Sequence, residues 1–292
     1  MRISFVVLHY LTYMDTIECV KSIVSNVSGE YNIIVVNNGS PNNSYGILEL
    51  EFQKKCYSRK VVLLNSEKNL GFAKGNNIGY LYAKNILKSD FIFCINNDTI
   101  IKQPDFCDMV CKVYFSSEFD VMGPDIISTR DGKHQNPLGY YEPLGIDVLI
   151  KMSVKLFFLW LRDAMGFTKV KLPKKVRFDE PYDLGLKDSN RRIKLMGAAI
   201  CFSKSYIEKY NYAFDPITFM YREEDFLAWL IDRDNLKAIY TNDIVLYHKE
   251  FSSTETSMEY NVDSQNAFKY KNMLISTFKL IYRKYINKNV EI

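Results

Sequence analysis

Four short apolar runs, at residues 3–8, 31–36, 61–65 and 91–95, alternate with stretches of helical periodicity. Each run is short and rich in β-branched or aromatic residues, which reads as a buried strand. Between them, helices are predicted over 15–27, 47–57 and from the Asn/Gly-rich stretch at 69–79 on to about 87. In the first helix Ile17, Val20, Ile23 and Val24 fall on one face. Strands that alternate with helices build βαβ units. The expected fold is therefore α/β, with a mostly parallel, Rossmann-like central sheet flanked by helices. In such sheets ligands bind beyond the carboxyl ends of the strands. Two polar clusters fall there: Asn37-Asn38-Gly39-Ser40 after the second strand and Asn96-Asn97-Asp98 after the fourth.

The second half is less regular. Strands are expected at 121–127, 238–240 and 244–247, the last leading into His248. Residues 193–203 form an apolar stretch containing Met196-Gly197-Ala198-Ala199. A helix is expected over 221–230; it opens with Glu223-Glu224-Asp225, and acids suit the positive end of a helix. Residues 268–288 read as a C-terminal amphipathic helix, and about 132–192 as an insertion. With 292 residues, 47% hydrophobic and 25% charged, the chain has an ordinary globular mix and length enough for a core. That excludes disordered, collagenous and disulfide-scaffold classes. No run of 18 or more apolar residues occurs, which excludes a polytopic membrane protein. The opening apolar stretch is too short for a secretory signal. The six cysteines include no Cys-x-x-Cys, and Cys107 and Cys111 lack a second pair to complete a zinc site, so a reducing, cytoplasmic setting is expected.

The net charge is only +4, but it is unevenly spread. Residues 151–177 hold eight Lys or Arg against one Asp, and residues 269–288 hold six and no acid. Two basic segments on an otherwise acidic body point to an anionic partner. The first contains Leu156-Phe157-Phe158-Leu159-Trp160-Leu161. Basic amphipathic helices lie in membrane interfaces; the same residues also suit packing onto the main domain or a homo-oligomer contact. No recognition motif supports nucleic acid.

Several residues could carry chemistry. Asp98, at a strand end, is a hard-oxygen ligand for Mg²⁺ or Mn²⁺, though Asn and Asp favour turns on their own account. The string Asn69-Leu-Gly71-Phe-Ala-Lys74-Gly75-Asn76-Asn77-Ile-Gly79 allows close backbone approach to a ligand, or simply starts a helix. It is neither Gly-x-Gly-x-x-Gly nor a P-loop. Successive helical residues point about 100° apart, so at most one or two of Glu223, Glu224 and Asp225 can face a cleft. A buried carboxylate among them would make a general base; otherwise they are a solvated helix start. His248 reads as a ligand or as a satisfied structural histidine. His9 and His134 show no partner in the sequence.

The order of these pieces resembles the inverting glycosyltransferases of family 2, of GT-A fold, and within them the rhamnosyltransferase-like group that builds bacterial capsule and O-antigen chains. The resemblance covers about 1–130 and 193–255. The strings Asn-x-Gly-Phe-Ala-x-Gly-Asn-Asn and Phe214-Asp215…Tyr221-x-Glu223-Glu224-Asp225 are its most specific parts. It implies a nucleotide-sugar-binding half at 1–130, an insertion at 131–192 for membrane, acceptor or oligomer contact, an acceptor-binding and catalytic half at 193–255, and a helical extension at 256–292. It also implies roles for residues. Asn37 stands where an Asp usually reads the nucleotide base, with Asn38, Gly71, Lys74, Asn77, Asn96 and Asn97 around the donor. The segment 96–98 matches an Asp-x-Asp metal motif with Asn96 in place of the first Asp, leaving Asp98 and His248 as metal residues. Glu224 falls on the usual catalytic base, Asp225 one residue away; Leu230 stands where an Arg is common.

The implied reaction transfers a sugar from a UDP- or dTDP-sugar, such as dTDP-rhamnose, to a glycan or lipid-linked saccharide, with Mn²⁺ or Mg²⁺. The implied place is the cytoplasm, at the inner face of the plasma membrane. Two readings compete. Asn37 and Asn96, amides where carboxylates are usual, motivate a noncatalytic sugar-nucleotide or glycan-binding relative. A doubly wound sheet motivates a nicotinamide enzyme, against which stands the missing Gly-x-Gly-x-x-Gly.

Overall fold

The computed structural model describes residues 1–57, 60–167, 177–182, 192–250 and 262–287. In chain order the strands and helices begin β1 (Ile3–His9), α1 (Tyr13–Asn26), β2 (Tyr31–Asn38), α2 (Ser44–Phe52), β3 (Val61–Ser66), α3 (Gly71–Asn85) and β4 (Phe91–Asn96). They continue with β5 (Thr99–Ile100), α4 (Phe106–Ser117), β6 (Val121–Ser128), β7 (Gly139–Tyr140) and α5 (Ile146–Ala164). The last are β8 (Ile193–Lys194), β9 (Ala199–Phe202), α6 (Lys204–Lys209), α7 (Glu223–Arg233), β10 (Ala238–His248) and α8 (Val262–Ile281), which runs into a π-helical turn at Tyr282–Ile286.

Eight strands form one sheet in the order β3-β2-β1-β4-β9-β6-β10-β5. β1 pairs parallel with β2 and β4, β2 with β3, and β6 with β10. β9 runs antiparallel to both β4 and β6, and β5 antiparallel to β10. Every strand except β9 and β5 therefore points the same way, as expected for a mostly parallel α/β sheet. Their carboxyl ends bring residues 8–10, 38, 96–98 and 248 to one edge.

Both faces of the sheet are covered, which is why its strands read as continuous apolar runs rather than alternating ones. On β1, Ile3, Phe5 and Val7 join a core under α1, α2 and α4, while Val6 joins a second core under α3, α6 and α7. Much of the aromatic content is spent here. The rings of Phe5, Phe93 and Phe106 lie with centroids 5.1–5.7 Å apart, an arrangement worth more than area burial alone. α3 lies close on the sheet because Gly79 carries no side chain; a Cβ there would come within 2.4 Å of Val6. His9 does have partners: it bridges Thr16 of α1 and Ser44 of α2, at 2.7 and 2.9 Å, and burial lowers its pKa to about 4, keeping it neutral. His134 likewise pairs with Asp125 at 2.7 Å.

α5, from the segment read as an insertion, packs on α8: Leu156 meets Tyr270 and Leu274. β7 pairs with β8, tying residues 139–140 to 193–194. Among the described residues no helix is long and apolar enough to cross a membrane.

Candidate active site

The strand ends enclose a cleft of about 390 Å³. Its walls include Leu8 and Tyr10 from β1, Asn38, Asn69 and Gly71, then Asn96, Asn97 and Asp98 after β4. Met196-Gly197-Ala198, residues 220–224, His248 and Glu250 complete it.

Asp98 and His248 meet because Thr99 of β5 pairs with His248 of β10. The His248 Nε2 lies 3.2 Å from Asp98 Oδ1, and both side chains are buried. The other ring nitrogen, Nδ1, donates to Gln135 Oε1 at 2.9 Å. A neutral imidazole with its proton on Nδ1 turns a lone pair toward the carboxylate. Without a metal a protonated ring pairs with the carboxylate; with one, both groups can turn lone pairs to the cation. The pair therefore fits a divalent metal. Among the described residues no third His, Cys, Asp or Glu joins it, so a metal would take its remaining ligands from diphosphate oxygens and water.

The loop at 69–71 is pinned from below by Asn38. Its amide nitrogen donates to Asn69 Oδ1 and to the Gly71 carbonyl, both at 3.1 Å, and its oxygen accepts from the Leu70 N–H at 3.0 Å. Gly71 has φ +82°, and the next N–H, of Phe72, donates to the Phe219 carbonyl at 2.7 Å. The loop thus fixes the backbone leading into α7. Asn97 is held by Thr12 and Thr16 through bonds of 2.9 and 3.0 Å.

The three carboxylates at the start of α7 part company. Tyr221 and Arg222 both take left-handed backbone, φ +70° and +72°, an arrangement that stores strain and turns the helix start sharply. Asp225 leaves the cleft. It receives Lys194 at 2.5 Å and Arg222 at 2.9 Å. Burial pushes its carboxyl up, but these cations outweigh burial and hold it below the usual range. Glu224 stays in the cleft, accepting the Gly197 N–H at 3.3 Å. Burial raises its pKa against the opposing pull of Lys194. Glu223 also lines the cleft; burial, then the neighbouring Glu224, pushes it up to about 8. Its Oε1 has no hydrogen-bond partner among the described residues.

Not every expected donor residue reaches the cleft. Lys74 stands exposed on α3, outside the lining. Asn77 is spent on backbone, donating to the Phe214 carbonyl at 2.7 Å and accepting from the N–H groups of Ala213 and Phe214 at 3.0 and 3.1 Å. Asn37 is buried under the lining. Its amide donates to Asn65 at 2.7 Å, while its Oδ1 has no donor among the described residues. Sequence reasoning missed Tyr10, Gln135, Glu250 and the distinct state of Glu223. Tyr10 follows β1 directly, so the strand-end rule could have found it. Gln135 lies in an irregular loop with no motif.

A second hollow, of about 350 Å³, lies on the far side of Arg222. Tyr140, Tyr141, Glu142, Lys194, Asp225 and Lys284 line it, with Met152 of α5 and Leu280 of α8.

The sequence profile of glycosyl transferase family 2 matches residues 4–164. The low-salt glycan biosynthesis hexosyltransferase Agl10 of Haloferax volcanii is 22% identical over 277 residues, spanning 94% of this chain and 76% of that protein. S. aureus TarS 1–349, solved in complex with UDP-GlcNAc, superposes with TM-score 0.55 at 13% identity, over 99% of this chain and 74% of its own. GalNAc-T7, solved with UDP, GalNAc and Mn²⁺, superposes with TM-score 0.56 at 14% identity, over 85% of this chain and 44% of its own. At these identities the structural likeness is one of fold, the GT-A arrangement.

Proposed function

The chain belongs to glycosyl transferase family 2, and we propose that it inverts the anomeric centre of a sugar taken from a UDP- or dTDP-sugar and passes that sugar to a glycan or lipid-linked saccharide. The observation that carries this reading is the division among the α7 carboxylates: Glu224 stays in the cleft with a raised pKa, while Asp225 is neutralised by Lys194 and Arg222. A base needs a free, somewhat elevated carboxylate, and an ion-paired one is a poor proton acceptor. Family membership also sets aside a nicotinamide enzyme.

The acceptor hydroxyl attacks the anomeric carbon as the bond from that carbon to the diphosphate oxygen breaks. The hydroxyl proton passes to Glu224, and the nucleoside diphosphate departs with the bonding pair. One displacement inverts the centre. The strained turn at 221–222 and the Gly197 N–H hold Glu224 in place. Asn38 and Asn69 keep the loop at 69–71 closed on the Phe219 backbone. A Mn²⁺ or Mg²⁺ bound by Asp98 and His248 would offset the charge growing on the departing diphosphate.

We place the acceptor sugar that bears the attacking hydroxyl in the cleft beside Glu224, and the rest of the acceptor toward the second hollow, lined by Tyr140 and Tyr141. A surface polysaccharide of the capsule or O-antigen kind is the product class we propose, with rhamnose as the transferred sugar.

The test is calorimetric titration with UDP, dTDP, GDP and CDP, each with Mn²⁺ and with EDTA. Binding of UDP or dTDP that needs the metal, and is lost in Asp98→Ala, is expected. Glu224→Gln should keep that affinity and lose transfer by about a hundredfold or more. Asp225→Asn should lose far less. Normal transfer by Glu224→Gln would move the base to Asp225, and no binding of any nucleotide would remove the metal role of Asp98.

A further inference from the structure

α5 is buried along one side only. Leu149, Ser153 and Leu156 face inward, and Leu156 packs on α8. The opposite side carries Ile150, Val154, Phe157, Phe158 and Leu161, with Val154 53% and Phe158 62% exposed. At about 100° per residue, 150, 154, 157 and 161 form one row along the helix. Lys151, Lys155 and Arg162 form a second row about a quarter-turn away. α8 and the turn after it carry a second apolar row: Ile275, Phe278 and Tyr282 are exposed, Phe278 by 55%. Scattered exposed apolar residues need no explanation; aligned rows on two packed helices do.

We propose that this helix pair docks on the surface of an anionic lipid bilayer, α5 lying in the interface plane. Three observations choose this occupant. First, exposed cations stand beside the apolar rows: Lys151 and Lys155 on α5 and Lys271 on α8. That matches the negative charge of a lipid surface, where each nearby Lys or Arg is worth about 1 kcal/mol. Second, a symmetric pairing of two copies through α5 would set the same basic rows against each other. Third, no described helix is long and apolar enough to span, whereas an apolar row flanked by a basic row is the arrangement of an interfacial helix. Met152 of α5 and Leu280 of α8 also line the second hollow. They face away from the exposed rows, so docking would hold that hollow one helix diameter, ~10 Å, from the bilayer surface. On the acceptor placement given above, the acceptor is a saccharide carried on a membrane lipid.

The test is co-sedimentation with vesicles of phosphatidylcholine alone and of phosphatidylcholine with phosphatidylglycerol. The full chain should bind the anionic vesicles and be released by added salt. Lys151→Gln with Lys155→Gln should lower the partition coefficient about 30-fold, two charges at about 1 kcal/mol each. Phe157→Ser with Phe158→Ser should abolish binding at every salt concentration. These side chains are exposed, and unchanged circular dichroism and nucleotide titration will show that both variants are folded. Equal binding by the Phe variant and the native chain would overturn the proposal. So would failure to bind anionic vesicles, or a dimer in sedimentation velocity that the Phe variant splits, which would make a second copy the occupant. Failure of nucleotide binding in the native chain would instead remove the donor reading and leave the vesicle result standing.

Discussion

Glu223 and Glu224 are adjacent carboxylates, Glu223 buried and Glu224 half-buried, and desolvation raises the pKa of both. For Glu223, desolvation and the neighbouring carboxyl raise it to about 8, from an ordinary value near 4.5. The consequence for stability has a definite sign. Between the two values the folded state holds a proton that the unfolded chain has released, so stability falls as pH rises through that window. The loss is complete only above pH 8. Glu223→Gln removes the titration and keeps the shape. It should therefore be more stable than the native chain by on the order of 4 kcal/mol at pH 9 and nearly equal to it at about pH 5, as read by urea unfolding at both values. Parallel stability curves for the two chains would contradict the assignment. The sequence offered three consecutive carboxylates and a helix, from which only the limit of one or two facing a cleft could be read. What separates them is long-range: Lys194, which claims Asp225, comes from β8, and Gly197, which holds Glu224, from the loop before β9. Spacing within a motif carries no record of partners some thirty residues away.

At the scale of elements, the strands that build the cleft were legible because the sheet is covered on both faces and each strand is a single apolar run. β10 was read as two strands, since Thr241-Asn242-Asp243 are turn formers; the chain instead shifts register there and continues as one strand. α4 was not read, although Phe106, Val110 and Val113 have helical spacing, because its strongest signal was a pair of cysteines. The role of Gly71 was visible only as permission for close approach. The structure shows what approaches: a Cβ on Gly71 would lie 2.0 Å from the Phe219 carbonyl oxygen. Gly71→Ala must therefore break the Phe72–Phe219 bond as well as strain the backbone, and should cost about 2–3 kcal/mol in denaturant unfolding. Gly71→Asn is the discriminating variant. Asn tolerates left-handed backbone, so it would be spared if φ alone mattered. The clash is with backbone, so Asn should be as damaging as Ala, and both should weaken nucleotide binding.

Across the whole molecule, the C-terminal helix holds the segment that leads into the α7 carboxylates. Ser276 donates to the Met220 carbonyl at 3.1 Å and Lys279 to that of Ile217 at 2.6 Å. Arg283, in the turn after α8, grips Asp215 through two bonds of 2.8 and 3.0 Å, both partners buried. All three contacts fall on residues 215–220, directly before the strained turn at 221–222. The amphipathic pattern of 268–288 announced a helix there, but not that its polar side reaches into this segment. Removing one partner of a buried pair leaves an uncompensated charge, at about 3–5 kcal/mol. Arg283→Met should therefore lose about that much stability and weaken nucleotide binding, because Asp215 no longer anchors the approach to α7. Asp215→Asn added to Arg283→Met removes the stranded charge while keeping an oxygen for the Ile217 N–H, which Asp215 accepts at 3.0 Å. Most of the lost stability should return in the double variant, measured by urea unfolding. Nucleotide affinity should return with it if the charge alone disturbed the segment. If stability recovers and affinity does not, it is the bidentate grip of Arg283 that sets the position of α7, and the far end of the chain is then part of how the site is shaped.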